Sequence, residues 1–132
     1  MKKYENFVSN LHVLEMAPLE DLDNEFILSG VIDKFFIQFE LGWKLFKELL
    51  QYEGRSDFAS GSPRDVIKTA YNVFDLDEKL WLEMLAARND ASHIYNEKAA
   101  KDLVQKILGR YIPEFQRVDT ALKERYGDRL LK

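Results

Sequence analysis

The longest apolar segment of the chain, residues 24–53, limits the possible folds most strongly. Large apolar side chains recur in it every three or four residues, which is the spacing of one face of an α-helix. Further apolar side chains widen this face, so the polar edge is narrow: Asp33, Glu40, Lys44, Lys47 and Gln51. A helix that is apolar around so much of its circumference is buried on more than one side. We therefore predict a central helix, part of which meets a second copy of the protein.

One shorter helix is predicted before the central helix. Residues 3–16 have apolar side chains at helical spacing, and Pro18 disfavours helix at the residue before it. Acidic residues follow, and Asp21 or Asp23 is the expected cap of the central helix, because a carboxylate there faces the positive helix end. Gly54 is typical of the residue just beyond the end of a helix.

Three more helices are predicted after residue 54. Ser62 to Phe74 begins with a capping serine and a proline, a strong start signal. Asp75 and Glu78 have the spacing of a capping box for the next helix. Asn96 is the expected cap of the last helix, in which Pro113 predicts a kink rather than a break. The end of the chain, from Glu114 on, is charged and expected to fray. No segment alternates as a strand does, so the chain is expected to be all-α.

The totals narrow the functional classes. The chain has 132 residues, which fits a single domain over residues 1–132, and it has no cysteine. That excludes a disulfide framework and agrees with a cytoplasmic protein. No run of about 18 apolar residues predicts a membrane span. The net charge of -4 argues against general binding of polyanions, although residues 96–132 hold 9 basic and 6 acidic side chains. An RNA or nucleotide ligand would therefore need a local basic patch.

One catalytic signature is present only in appearance. Gly61-Ser62 and Asp75-Leu76-Asp77 imitate a nucleotidyltransferase site, in which an Asp-x-Asp pair on a strand holds metal ions. Here both pieces begin helices, and nothing near them is typical of a strand. The chain is thus not expected to be a nucleotidyltransferase itself. With two histidines it offers no convincing metal site, and no cofactor motif is present.

Candidate chemistry concentrates between the fourth and last predicted helices, at Arg88, Asn89, Ser92, His93 and Tyr95. Arg88 continues the buried stripe of its helix, so its guanidinium needs an anionic or hydrogen-bonding partner. Arg88 and His93 would point about 140° apart on an unbroken helix. They can share a site only if the helix ends between them or a second chain completes the site, and we expect the helix to end near His93. Asn89 and His93, at i and i+4, would share a face.

An arginine beside a histidine suits phosphodiester chemistry. A histidine can exchange a proton with a ribose hydroxyl near neutral pH, and an arginine can hold the phosphate. No metal is needed for that. The alternative is structural: Arg88 pairs with a carboxylate, and His93 caps the helix end. The spacing alone favours the structural alternative.

Three stretches of the chain resemble a known family: Phe39 to Lys44, Ser62 to Ile67, and Trp81 to Leu85 continuing through Arg88-Asn89 to His93-Ile94-Tyr95-Asn96. With the order of the helices, they resemble the nucleotidyltransferase substrate-binding proteins of the HEPN superfamily, which are relatives of the HepT toxins. The resemblance implies an all-α, antiparallel (up-and-down) four-helix bundle with an additional short helix. It also implies a homodimer and a separate minimal nucleotidyltransferase as partner.

The resemblance also implies roles for the candidate residues. In the toxin relatives, the residues that match Arg88 and His93 form a metal-independent ribonuclease site at the dimer cleft. The tyrosine that matches Tyr95 accepts AMP from the partner, in a toxin–antitoxin pair. Asn89 and Ser92 lie in the same segment and are candidates for nucleotide binding. The alternative is a non-catalytic subunit that binds a nucleotide or substrate for a two-chain transferase.

Overall fold

The computed structural model describes residues 1–58, 60–91, 94 and 96–131, and within these residues it contains helices and no strand. A π-helical segment, Ile107–Tyr111, joins the last two α-helices, and short 3-10 segments lie at Ala17–Leu19 and Gly127–Leu131. The predicted all-α class is confirmed. The α-helices are α1 (Lys2–Leu14), α2 (Glu25–Tyr52), α3 (Pro63–Phe74), α4 (Glu78–Asn89), α5 (Glu97–Lys106) and α6 (Ile112–Tyr126).

Helices α1 and α2 pack side by side in opposite directions. Lys3, at the start of α1, lies 3.8 Å from Glu48, near the end of α2. Asn10, near the end of α1, donates a hydrogen bond from Nδ2 to the carbonyl oxygen of Lys34, nearer the start of α2. Early residues of one helix therefore meet late residues of the other, as in an antiparallel pair.

Helix α4 also runs opposite to α2. The Trp81 ring lies 4.9 Å from the Phe46 ring, whereas Arg88, two turns later, contacts Glu40, which is earlier on α2. Helix α6 in turn runs opposite to α1, because Tyr4 contacts Asp119 whereas residues nearer the end of α1 contact the start of α6. These directions make α1, α2, α4 and the α5–α6 unit an up-and-down bundle, and α3 is the additional short helix.

The central position predicted for α2 is confirmed. Eleven of its residues are buried, and the helix contacts α1, α3, α4 and α5 rather than one of them. Gly42 lies where the ring of Trp81 reaches α2: a Cβ atom there would be 2.7 Å from Trp81 Cη2 and 3.3 Å from Phe7 Cε2. The absence of a side chain at this position therefore allows two aromatic rings to pack directly on the helix.

Several predicted helix ends agree with the structure. The Ser62 hydroxyl accepts a hydrogen bond from the Asp65 N–H at 3.3 Å, and Asn96 Oδ1 accepts one from the Ala99 N–H at 2.8 Å. Gly54 has a positive φ of 79°, and the Arg55 N–H donates to the Leu50 carbonyl oxygen, closing α2 in a Schellman motif.

Two predicted caps were wrong. The cap of α2 is Asn24, whose Oδ1 accepts from the Phe26 and Ile27 N–H groups, and not Asp21 or Asp23. The cap of α4 is Asp77, because Asp77 Oδ1 accepts from the Leu80 N–H. Asp75 instead ends α3 in the left-handed conformation. At the start of each of these helices, several carboxylate or amide side chains lie within four positions. Which of them caps the helix depends on the backbone conformation at that point.

The end of the chain is ordered by packing, so the prediction that it frays was wrong. Phe115, Val118, Leu122 and Tyr126 of α6 are buried, and so is Leu130 in the final 3-10 segment. The π-helical segment Ile107–Tyr111 lies just before Pro113, where a kink is predicted. The chain stays helical from α5 through this segment into α6. None of the helices in the described residues is long and apolar enough to cross a membrane.

Candidate functional site

Arg88 lies in the last turn of α4, where a positive charge faces the negative end of the helix dipole. Trp81, Met84 and Leu85, on the same stripe of α4, are buried and fix the helix against the core. The Arg88 side chain keeps 35 % of its surface exposed. Its Nη2 lies 2.6 Å from Glu40 Oε1, and its Nη1 donates to Asn89 Oδ1 at 3.2 Å.

Glu40 is the anionic partner that the position of Arg88 required. It projects from α2, and three side chains contact its carboxylate. Arg88 is the one that contacts Oε1. Trp43 Nε1 donates to the other oxygen, Oε2, at 2.9 Å, and Lys44 Nζ lies 3.8 Å from the same oxygen. Oε1 is buried, and within the described residues it receives no well-aligned hydrogen bond. Its negative charge is therefore balanced by the Arg88 guanidinium at close range.

The need for this partner was predictable, but its identity was not. Glu40 belongs to the narrow polar edge of α2 and to the stretch that resembles the family, so a weak signal existed. Trp43 and Lys44 are three and four residues further on, which places all three on one face of α2. What the sequence lacks is the distance between α2 and α4, since Glu40 and Arg88 are far apart along the chain.

The described part of the segment between α4 and α5 meets one condition for a shared site. Helix α4 ends at Asn89, with Asp90 as its C-cap, which is earlier than the expected end near His93. Arg88 and His93 therefore do not share one unbroken helix, and the 140° separation does not apply. Asn89 is exposed beside Arg88.

Three predicted site residues, Ser92, His93 and Tyr95, lie outside the described residues. The convergence of Arg88 with His93 stays a prediction for this reason. The described residues among and after them make two contacts: the Ile94 N–H donates to the Ala91 carbonyl oxygen at 3.1 Å, and Asn96 caps α5. Ile94 is half-buried and packs against the core.

A second polar contact of α4 lies one turn before Arg88. Glu83 Oε2 accepts a hydrogen bond from the Tyr111 hydroxyl at 2.6 Å and lies 2.9 Å from Arg110 Nη1. Burial, together with the Glu83 carboxylate, holds the pKa of Tyr111 well above its usual range. Tyr111 therefore stays a hydrogen-bond donor, and the contact ties α4 to the π-helical segment.

The arrangement at Arg88 has two consequences for the binding of an anion. It holds a guanidinium at a fixed place with about a third of its surface open, which suits binding of a phosphate. It also neutralises that guanidinium with Glu40, so an anion must compete with or share the existing ion pair. Within the described residues, no cluster of three or more His, Asp or Glu side chains could hold a metal ion.

Comparison with known proteins gives the family. A search of curated proteins finds no significant match. The family model described as nucleotidyltransferase substrate binding protein like matches residues 2–124, which include all of α1 to α5 and nearly all of α6. Because the match extends over almost the whole helical bundle, the chain belongs to the nucleotidyltransferase substrate binding protein like family.

Proposed function

We propose that this protein is the substrate-binding subunit of a separate, minimal nucleotidyltransferase, and that it works in the cytoplasm as a HEPN-type homodimer. The observation that carries this proposal is the family match over residues 2–124. A binding subunit needs no catalytic metal of its own, and its surface must present a site to a ligand and a partner. The exposed part of Arg88 at the end of α4 is such a site.

We further propose that Arg88 and His93 form a metal-independent endoribonuclease site, in a toxin–antitoxin-like pair with the nucleotidyltransferase. His93 exchanges a proton with a ribose hydroxyl, and Arg88 binds the phosphate and stabilises its developing charge. Two features support this proposal: Arg88 is held in place by Glu40, and α4 ends between Arg88 and His93. Asn89 and Ser92 supply polar groups beside the pair.

The ribonuclease proposal is tested by expression without the partner. We expect the wild-type chain to slow growth and to cleave RNA, and Arg88→Ala and His93→Ala to remove both effects. His12→Ala is the matched control, because His12 is exposed on α1, a helix that carries none of the proposed site residues. Equal growth and intact RNA for the wild type and for His93→Ala would contradict the proposal.

Tyr95 is the proposed acceptor of AMP from the partner. Its hydroxyl would attack the α-phosphate of ATP, so that a phosphodiester forms on the tyrosine oxygen, pyrophosphate leaves, and the hydroxyl proton passes to solvent. Incubation with the partner and ATP should add one AMP to the wild type and none to Tyr95→Phe, measured by mass spectrometry. Modification of another tyrosine in Tyr95→Phe would show that the acceptor is assigned wrongly.

A second candidate function is a subunit that binds substrate without cleaving RNA. The ion pair of Arg88 with Glu40 favours it, because a guanidinium that already has a carboxylate partner at 2.6 Å binds another anion less strongly. The net charge of -4 favours it too. This alternative predicts that the purified chain raises the transferase activity of the partner and that no RNA is cleaved, with or without Arg88.

A further inference from the structure

The described residues form a groove that does not include Arg88 among its lining residues. It has a volume of about 880 Å³ and runs between the start of α1, the second half of α2 and the final 3-10 segment. A volume of this size is within the range of sites that enclose small organic ligands, roughly 300–1,000 Å³. The groove is therefore large enough for a nucleotide.

The rim of the groove is basic, in contrast to the rest of the chain. Lys2, Lys3, Lys44 and Arg129 line it, and Glu48 is the one acidic side chain among its lining residues. The whole chain carries a net charge of -4. Four cations around one opening on an acidic protein focus a positive potential there, which attracts anions. This is the local basic patch that the composition requires for a phosphate-bearing ligand.

The ion pairs at the rim are weak enough to be replaced. Lys3 Nζ and Glu48 Oε1 are 3.8 Å apart, and the two side chains are 47 % and 43 % exposed. Lys44 Nζ is likewise 3.8 Å from Glu40 Oε2. Exposed pairs at such distances contribute little to stability, so a phosphate can take over these ammonium groups at small cost.

Arg129 is held more firmly than the lysines. Its Nε and Nη2 donate to the carbonyl oxygens of Tyr126 and Arg125 at the end of α6, at 3.1 and 2.9 Å. These contacts fix the direction of the side chain before any ligand arrives. One rim cation is thus preorganised, which lowers the entropy cost of binding.

The interior of the groove is apolar and aromatic. Leu41, Leu49 and Leu130 form its walls, together with the rings of Tyr52 and Tyr126. Tyr52 is 62 % exposed, and its ring lies 6.0 Å from that of Tyr126 in an edge-to-face arrangement. An open tyrosine face beside apolar walls suits a flat aromatic group, because stacking on it removes apolar surface from water.

We propose that this groove binds a nucleoside phosphate, with the base against Tyr52 and the leucine walls and the phosphates at the basic rim. The inference deepens the proposed substrate-binding function and rests on it for the choice of a nucleotide. The groove adjoins the candidate site, because Lys44 lines the groove and also approaches Glu40, the partner of Arg88.

The proposal is tested by calorimetric titration of the chain alone with ATP at low salt. ATP should bind, and it should bind at least tenfold more tightly than adenosine or inorganic triphosphate, since each of these lacks half of the contacts. The triple variant K2Q/K3Q/K44Q should weaken ATP binding at least tenfold, and so should Tyr52→Ala. The matched control is K68Q/K79Q/K98Q, which removes three exposed lysines that do not line the groove, and it should bind ATP as the wild type does.

Three results would overturn the proposal. The first is no binding of ATP, or equal affinity in the rim variant and the control. The second is binding of oleate in place of ATP, which would make the groove a lipid site. The third is a rim variant that loses a dimer seen by ultracentrifugation, with no ATP binding in the wild type, which would make the groove an interface. Arg88→Ala separates the groove proposal from the proposed site at Arg88. If Arg88→Ala abolishes ATP binding while the rim variant binds ATP as the wild type does, the nucleotide site is at Arg88 and the groove assignment is wrong.

Discussion

Glu114 carries a charge in the interior of the bundle, with only 5 % of its surface exposed. One of its oxygens, Oε2, accepts hydrogen bonds from the Asp77 N–H at 3.1 Å and from Trp81 Nε1 at 2.9 Å. The Arg117 guanidinium pairs with both carboxylate oxygens. A buried carboxylate is stable only when it is paired and hydrogen-bonded, and here every requirement is met from α4 and α6. Glu114 thus joins the two helices.

We expect Glu114→Ala to lower the free energy of unfolding by about 2–4 kcal/mol, because it leaves a buried indole N–H and a backbone N–H without an acceptor. Glu124→Ala on the same helix is the control. Glu124 is exposed, so its loss should change stability by less than about 0.5 kcal/mol. Urea unfolding of both variants measures the difference. Equal stability of the two would mean that the buried network contributes nothing.

Residue chemistry was only partly predictable from the sequence. Helical spacing alone predicts that Arg88 continues a buried stripe and therefore needs an anion. It does not predict that this anion is Glu40, because that depends on how α2 and α4 cross. For Glu114 the prediction is wrong, because the charged composition of residues 114–132 indicates a fraying end, whereas Glu114 is buried. Burial of a carboxylate depends on partners from another helix.

At the scale of elements, α4 packs against α2 at Gly42. The Trp81 ring is fully buried and rests where a side chain of residue 42 would begin. Glycine at position 42 permits this close approach. The approaching group is a side chain of α4, together with Phe7 of α1.

We expect Gly42→Ala to destabilise the protein by about 1–3 kcal/mol, because its methyl group would lie 2.7 Å from the fully buried ring of Trp81. Gly30→Ala is the matched control on the same helix. Nothing lies within 4 Å of a Cβ at Gly30, so alanine should stabilise the helix by up to about 1 kcal/mol. Thermal unfolding of the two variants should shift in opposite directions, and a shift in the same direction would contradict this packing.

The start of α4 offers a second comparison of paired variants. Asp77→Ala removes the side chain that caps the helix, and it should cost about 1 kcal/mol. Asp75 has a φ of 56°, a conformation that glycine adopts more easily. Asp75→Gly should therefore leave stability unchanged or raise it by about 0.5 kcal/mol, given that its contact with Arg117 is long, at 3.9 Å, and exposed. If Asp75→Gly lost more stability than Asp77→Ala does, the assignment of Asp77 as the cap would be wrong.

For the whole molecule, the all-α class, the central helix and the positions of most helices could be predicted, because each depends on local periodicity and capping. The dimer predicted from the girth of α2 stays a prediction. The buried apolar side chains of α2 pack within one chain against α1, α3, α4 and α5, whereas Phe26, Ile37 and Tyr52 on the same helix are exposed. Dimerisation depends on residues that remain exposed, and helical spacing does not distinguish them from core positions.

The two ends of the chain are tied to the bundle by tyrosine–carboxylate contacts, and these predict how stability depends on pH. The Tyr126 hydroxyl donates to Glu53 Oε1 at 2.8 Å, joining the end of α6 to the end of α2. Burial, with the Glu53 carboxylate, raises the pKa of Tyr126 from 10.0 to about 12. Tyr4, which donates to Asp119, also has a raised pKa, for the same two reasons.

A raised tyrosine pKa means that the folded state keeps a proton that the unfolded state loses. The contribution of Tyr126 to stability is therefore complete below pH 10 and is lost as the pH rises from 10 to about 12. We expect the free energy of unfolding, measured with urea across this range, to fall less steeply in Tyr126→Phe than in the wild type. Groups common to both proteins cancel in the comparison, and the raised pKa of Tyr4 leaves some fall in the variant. Parallel curves would show that the Tyr126–Glu53 contact does not favour the protonated phenol.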